Sequence, residues 1–188
     1  CNGLQNIDVI KNFSKLSYLH LDGCSKVQNL DVLKGMSKLF CLQVSWSPSA
    51  PYLDTVKELK QLRRLIIKES EELQNLDSLK GLRYVDDLEI VGWKKLHNID
   101  ALKELINLRE VTLNGCEALQ NIDVLKSLSD LRCLDLDGEV ALQNIELLQS
   151  LKNIRGGLHN HLIINRNNLR PEEIKKLEEA LPHAWMIR

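Results

Sequence analysis

Residues 119–141, LQNIDVLKSLSDLRCLDLDGEVA, repeat the pattern of residues 4–26, LQNIDVIKNFSKLSYLHLDGCSK. The same pattern recurs every 23 residues, and its seven units begin at Leu4, Val27, Ala50, Leu73, Leu96, Leu119 and Leu142. A fixed period of about 20 to 50 residues is typical of proteins built from stacked repeats. Because one unit of this length cannot bury its own apolar side chains, the repetition predicts a solenoid whose neighbouring units share a core.

Each unit contains two different spacings of apolar residues. In the sixth unit the apolar positions are Leu119, Ile122, Leu125, Leu128, Leu131, Leu134 and Leu136. The last two alternate with polar residues, which indicates a short β-strand with Leu134 and Leu136 pointing inward. The earlier ones lie three residues apart, which favours a short 3₁₀ or α-helical segment. We therefore expect an α/β solenoid with a parallel β-sheet on the concave face and short helical segments on the convex face.

Asparagine and aspartate recur just ahead of each helical segment, as Asn121 and Asp123 do in the sixth unit. We predict that the aspartate caps the helical segment by accepting a backbone N–H. The asparagine is predicted to satisfy backbone groups that the turn leaves unpaired. A catalytic carboxylate would not need to recur in every unit, so this pattern favours capping over catalysis.

The end of each unit resembles the hallmark segment of leucine-rich repeats, in which Asn or Cys occupies the last position. The clearest examples are Leu16-x-x-Leu19-x-Leu21-x-x-Cys24 and Leu108-x-x-Val111-x-Leu113-x-x-Cys116. The NID-x-LK-x-L half is similar to the short repeats of bacterial internalin-like proteins. Gly-Cys after the strand is instead similar to cysteine-type repeats, such as those of plant intracellular immune receptors. The resemblance implies a leucine-rich repeat solenoid whose concave face binds other proteins.

The two ends of the chain depart from the regular repeat. We expect a repeat array over residues 1–169 and a C-terminal cap over residues 170–188. Cys1 falls at the hallmark position of a preceding unit, which favours an array cut within a repeat over an acylated first residue. Residues 156–160 have the character of a five-residue insertion. Pro171 and the two glutamates that follow it predict the start of a capping helix, which Pro182 ends before a short closing strand.

The outward-facing strand positions define the expected binding surface. Units four to six place five carboxylates there and no basic residue: Asp87, Glu89, Glu110, Asp135 and Asp137. Such a patch attracts a basic partner, or it is a solvated face that Arg109 and Arg132 partly neutralise; a dedicated metal site is the weaker interpretation. Units one and three add Tyr18, His20 and Arg64 to the candidate binding residues.

Two tryptophans are further candidates. Trp46 and Trp93 follow their strands two units apart, and we expect them along one rim of the solenoid. Aromatic side chains at a rim are good anchors for a partner because they lose little entropy on binding. The alternative is that these bulky residues fill a gap in the packing.

The cysteines and histidines do not indicate catalysis. Cys41 and Cys133 lie four units apart, which exceeds the reach of a disulfide. Unpaired cysteines favour a reducing, cytoplasmic compartment. His159 and His161 would point to opposite faces of an extended segment, so no metal site is expected from them. The main catalytic signatures are absent, and we expect neither an enzyme nor a cofactor.

The sequence thus predicts a protein-recognition module that forms part of a larger protein. The net charge of -1 gives no reason to expect nucleic acid as a partner, and no apolar run is long enough to insert into a membrane. We expect a protein partner with a basic patch, and a homo-oligomer stays open. The alternatives are a surface-displayed ligand-sensing ectodomain or lipoprotein, and a structural spacer.

Overall fold

The computed structural model describes residues 3–24, 26–27, 29–45, 54–70, 72–138, 146–154, 161–165, 169–182 and 186–187. In this part of the chain eight parallel strands form one sheet in chain order. They are β1 (Tyr18–Asp22), β2 (Cys41–Ser45), β3 (Arg64–Lys68), β4 (Asp87–Val91), β5 (Glu110–Asn114), β6 (Cys133–Leu136), β7 (Leu162–Ile164) and β8 (Met186–Ile187). The strand predicted in each of the seven repeat units is confirmed by β1 to β7, and β8 is the predicted closing strand.

Strand pairing follows the repeat period. Leu19 lies beside Leu42 and Leu88 lies beside Val111, so the partners are 23 residues apart. Leu134 of β6 instead lies beside Leu162 of β7, which adds five residues to the period. The register therefore confirms the five-residue insertion, although residues 156–160 themselves lie outside the described residues.

The predicted helical segments are 3₁₀ helices in six units. Their bounds are Asp8–Asn12, Asp31–Gly35, Asp77–Leu79, Asp100–Glu104, Asp123–Ser127 and Glu146–Ser150. Residues 54–56 of the third unit are α-helical. The core lies between these segments and the sheet, where apolar-slot residues such as Leu125 and Leu134 are fully buried. In the first unit, Leu4 and Phe13 occupy apolar slots but are exposed.

Asparagine, and not aspartate, makes the turn ahead of the five 3₁₀ helices whose preceding asparagine is described. The Oδ1 atom of Asn121 accepts the backbone N–H of Asp123 at 2.7 Å, and Asn98 accepts that of Asp100 at 2.8 Å. The prediction that the aspartate caps the helix is wrong, because the aspartate is the first helical residue and its own N–H is the group that needs an acceptor. In several units the aspartate carboxylate instead pairs with a lysine three residues on, as Asp123 does with Lys126 at 3.1 Å.

The predicted capping helix is confirmed at Pro171–Ala180. Its start is fixed by Glu173, whose side chain accepts the backbone N–H of Arg170 at 2.8 Å. Leu177 and Leu181 are buried, and the helix packs against the 3₁₀ segment Glu146–Ser150. Ala180, at the end of the helix, is exposed. None of the helices among the described residues has the length and apolar character to span a membrane.

Candidate binding surface

The side chains that point away from the core form three rows across the sheet, on the concave face of the solenoid. Because the strands pair in register, equivalent residues of neighbouring units lie side by side. The first row runs through Tyr18, Cys41, Arg64, Asp87, Glu110, Cys133 and His161. The second runs through His20, Gln43, Ile66, Glu89, Thr112, Asp135 and Ile163. The third runs through Asp22, Ser45, Lys68, Val91, Asn114, Asp137 and Asn165.

The five predicted carboxylates lie together in these rows and are called here the acidic patch: Asp87, Glu89, Glu110, Asp135 and Asp137. Two basic residues of β3 border it on one side. Arg64 Nη1 lies 2.8 Å from Asp87 Oδ2, and Lys68 Nζ lies 3.3 Å from Glu89 Oε1. Arg64 and Lys68 therefore neutralise these two carboxylates, a role that the sequence pattern assigned to Arg109 and Arg132.

Asp87 has the most perturbed carboxyl group of the patch. Burial raises its pKa from the ordinary 3.8 to about 6, and the nearby carboxylates of Glu110, Glu89 and Asp86 act in the same direction. The guanidinium of Arg64 lowers the pKa but does not outweigh these effects. Asp87 therefore changes charge near pH 6.

The other side of the patch carries uncompensated negative charge. Within the described residues, Glu110, Asp135 and Asp137 form no ion pair. Asp135 accepts hydrogen bonds from Asn114 Nδ2 at 3.2 Å and from the backbone N–H of Asp137 at 3.0 Å. These bonds orient the carboxylate without cancelling its charge. A cation that approaches β5 and β6 therefore meets partly exposed carboxylates that lack an internal cation.

A thiol and an imidazole lie in contact beside the patch. Cys133 Sγ is 3.0 Å from His161 Nε2, and Cys133 is buried although it occupies an outward row. Burial raises the pKa of Cys133 to about 12, and the carboxylates of Glu110, Asp135 and Asp87 contribute. This environment keeps the thiol protonated, whereas a nucleophilic cysteine needs a lowered pKa.

The described residues contain neither a disulfide nor a cluster of metal ligands. The described cysteines, Cys24, Cys41, Cys116 and Cys133, are free thiols, as their predicted separation requires. No group of three or more potential metal ligands occurs among the described residues. His159 lies outside the described residues.

Trp93 is not a rim anchor, and its predicted role is wrong. Its side chain is 0% exposed because it occupies the inward slot that Cys24 and Cys116 fill in other units. Small residues, Ser70 and Cys116, occupy this slot in the two adjacent units, which leaves room for the indole. The spacing of the hallmark segment could have identified this slot as internal. Trp46 lies outside the described residues.

Two exposed aromatic residues lie close together beside β1 and β2, and only one of them was predicted from the sequence. Tyr18 is 63% exposed and Phe40 is 44% exposed, and their ring centroids lie 5.9 Å apart. Tyr18 was among the predicted binding residues, but Phe40 was not, because it precedes its strand and falls outside the alternating pattern. His20, the residue of β1 that belongs to the second row, is also exposed.

The stacked strand and 3₁₀ units define a leucine-rich repeat fold. Similar solved structures include a Leptospira interrogans leucine-rich repeat protein (17% identity, TM-score 0.63, 97% of this chain and 51% of that chain). Listeria monocytogenes internalin C2 is also similar (20% identity, TM-score 0.57, 79% and 63%). A third is the Arabidopsis receptor kinase HAESA, solved with the peptide hormone IDA and the co-receptor SERK1 (18% identity, TM-score 0.51, 88% and 33%).

These likenesses concern the fold, since each identity is at or below 20%. The chain spans less than two thirds of the length of each of these solved chains. No protein-family model matches the sequence, and no curated protein sequence matches it.

Proposed function

We propose that this chain is a non-enzymatic recognition module that binds a basic segment of a partner protein through the acidic patch. The observation that carries the proposal is the excess of negative charge on β5 and β6, where Glu110, Asp135 and Asp137 have no internal cation among the described residues. Charged groups on an interface steer a complementary partner and exclude partners of the same charge. Nucleic acid is therefore disfavoured, because its phosphates would be repelled by this face.

The buried environment of the thiol supports a binding role over a catalytic one. Cys133 and His161 are the pair with the most evident potential for nucleophilic chemistry among the described residues, but the raised pKa of Cys133 opposes thiolate formation. HAESA, which is similar in fold, forms a complex with a peptide hormone and a co-receptor, and this supports the general proposal of a protein-binding role.

The proposal is tested with a fluorescein-labelled hexapeptide of alternating lysine and arginine as the probe. Its binding is measured by fluorescence anisotropy for the wild type and for a four-site variant, Glu89→Gln, Glu110→Gln, Asp135→Asn and Asp137→Asn. The matched control neutralises four exposed carboxylates elsewhere, by Glu104→Gln, Glu117→Gln, Asp123→Asn and Asp130→Asn. The two variants have the same net charge and differ only in where the charge is removed.

We expect the four-site variant to bind the probe about tenfold more weakly, because each exposed charge pair contributes roughly 0.2–1 kcal/mol. Its binding should also depend less on salt concentration, since fewer charges are screened. The control variant should keep most of the wild-type affinity. Equal weakening of both variants would show that net charge alone attracts the probe, and would overturn the acidic patch as the site.

A further inference from the structure

We propose that the partner segment is an extended peptide that lies across the strands, with an aromatic side chain on the aromatic pair and basic side chains on the acidic patch. The aromatic pair is defined as Tyr18 and Phe40. The contact between basic side chains and the acidic patch rests on the proposed function. The aromatic contact is new, and it lies at a defined distance from the acidic patch. It therefore specifies the kind of sequence that the partner carries.

The aromatic pair has the properties of a binding anchor. Tyr18 begins β1, and Phe40 directly precedes Cys41, the residue that lies beside Tyr18 in the sheet. The backbone N–H of Phe40 donates to the Ser17 carbonyl at 2.7 Å, which holds the second ring near the first. The rings are tilted by 46° and present exposed apolar area. A partner ring that packs on them gains contact area and loses little entropy, because aromatic side chains are rigid.

The path from the aromatic pair to the acidic patch follows the first row. Cys41 lies on this path, and its side chain is small and buried. Arg64 comes next, and its ion pairs with Asp87 and Glu89 (2.8 and 3.6 Å) direct its guanidinium towards β4. The charge that remains for a partner therefore begins at Glu110 in the first row and continues at Asp135 in the neighbouring second row. This arrangement separates an apolar end of the row from an acidic end.

The strand spacing sets the separation of the two contacts. Glu110 lies four strands from Tyr18, and Asp135 lies five strands from it. At about 4.8 Å per strand these separations are roughly 19 and 24 Å. An extended peptide advances about 3.4 Å per residue, so it places a basic residue on these carboxylates about six or seven positions from its aromatic residue. A shorter separation allows one contact or the other but not both.

The test uses three fluorescein-labelled peptides of the same length, built from serine and glycine with three arginines. The spaced peptide has a tryptophan six positions from the arginine cluster, the adjacent peptide has the tryptophan beside the cluster, and the basic peptide has serine in place of tryptophan. Each tryptophan peptide is made in both chain directions. Binding is measured for the wild type, for Tyr18→Ser with Phe40→Ser, and for Tyr18→Ser alone. The control is Val9→Ser with Ile106→Ser, which removes two exposed apolar side chains outside the sheet.

We expect the wild type to bind one direction of the spaced peptide about fivefold more tightly than the adjacent and basic peptides. This preference should disappear in the double aromatic variant, weaken in Tyr18→Ser and persist in the control. If all three peptides bind equally and depend on the acidic patch, the aromatic contact is overturned while the proposed function stands. If none of the peptides binds, the proposed function is overturned as well.

Discussion

The slot of a residue in the 23-residue unit determines the burial of most side chains, although Cys133 is buried in an outward row and Phe13 is exposed in an apolar slot. Trp93 is fully buried because its slot points inward, whereas Tyr18 and Glu110 are accessible because their slots point outward. A large indole in a slot that holds cysteine elsewhere packs beside smaller neighbours. Its Nε1 atom has no hydrogen-bond partner among the described residues, so the indole contributes apolar contacts and not a polar one.

Replacement of Trp93 should reveal this apolar role. Trp93→Ala is expected to lower the free energy of unfolding by about 3–5 kcal/mol, because it leaves a large cavity in the core. Trp93→Phe should cost clearly less, since it keeps an aromatic ring and removes an unsatisfied buried N–H. Urea unfolding followed by circular dichroism measures both variants. A cost of Trp93→Ala below about 1 kcal/mol would contradict the burial of the indole.

Glu69 occupies a backbone position that suits glycine. Its φ angle is 62°, and the equivalent residues Gly92 and Gly115 have φ angles of 73° and 66°. A side chain in this left-handed region costs roughly 1–2 kcal/mol, which the greater freedom of glycine in the unfolded chain partly offsets. We expect Glu69→Gly to stabilise the protein by about 0.5–1 kcal/mol in urea unfolding. The control, Glu69→Ala, keeps the Cβ atom and should show no such gain; an equal gain would assign the effect to loss of the charge.

The raised pKa of Asp87 links stability to pH. Because the pKa is about 6 in the folded state and 3.8 in its ordinary environment, the folded state binds more protons between these values. The stability that Asp87 contributes is therefore complete below pH 3.8 and decreases as the pH rises through about 6. The wild type should lose stability relative to Asp87→Asn across this window, as measured by urea unfolding from pH 4 to 7. Parallel curves for the two proteins would be inconsistent with a raised pKa.

At the level of secondary structure, five of the described 3₁₀ helices begin at a turn that the preceding asparagine makes. The side chain of Asn121 takes over the role of acceptor for the N–H of Asp123, which no carbonyl of the helix can reach. The aspartate makes only an exposed ion pair with Lys126. Exposed pairs of this kind contribute little, so the two recurring polar residues of the repeat should have unequal effects on stability.

A pair of substitutions separates these two contributions. Asn121→Ala should lower the free energy of unfolding by about 1 kcal/mol, as the loss of other side-chain caps does. Asp123→Ala should cost no more than about 0.5 kcal/mol, because it removes only an exposed ion pair and leaves the Asn121 acceptor in place. Thermal and urea unfolding of both variants gives the comparison. A larger loss for Asp123→Ala would restore the aspartate as the capping residue.

For the whole molecule, the repeat period determines how far the sequence predicts the structure. The strand positions and the five-residue insertion were predictable because a fixed period sets the register of every parallel pair, as at Leu88 and Val111. The ion pairs of Arg64 and Lys68 were not predictable from the carboxylate positions alone. They depend on how long side chains of one unit reach across the sheet to the next.

The candidate surface was predictable to a similar degree. The acidic patch follows from alternation along the strands, since its members occupy outward slots. The burial of Trp93 follows from its inward slot, whereas its residue type alone suggests an exposed anchor. Phe40 was missed because it precedes its strand, so the alternating pattern does not include it, and because the sequence does not show its contact with Tyr18.

The acidic patch can be located most directly by carboxyl footprinting with mass spectrometry. Carboxylates are labelled with a carbodiimide and glycine ethyl ester, in the presence and absence of the lysine–arginine hexapeptide. We expect the peptide to protect Glu110 and Asp135 of the acidic patch, while the exposed carboxylates Glu104 and Glu117 keep their labelling. Protection of Glu104 and Glu117 to the same extent as Glu110 and Asp135 would contradict the acidic patch as the binding site.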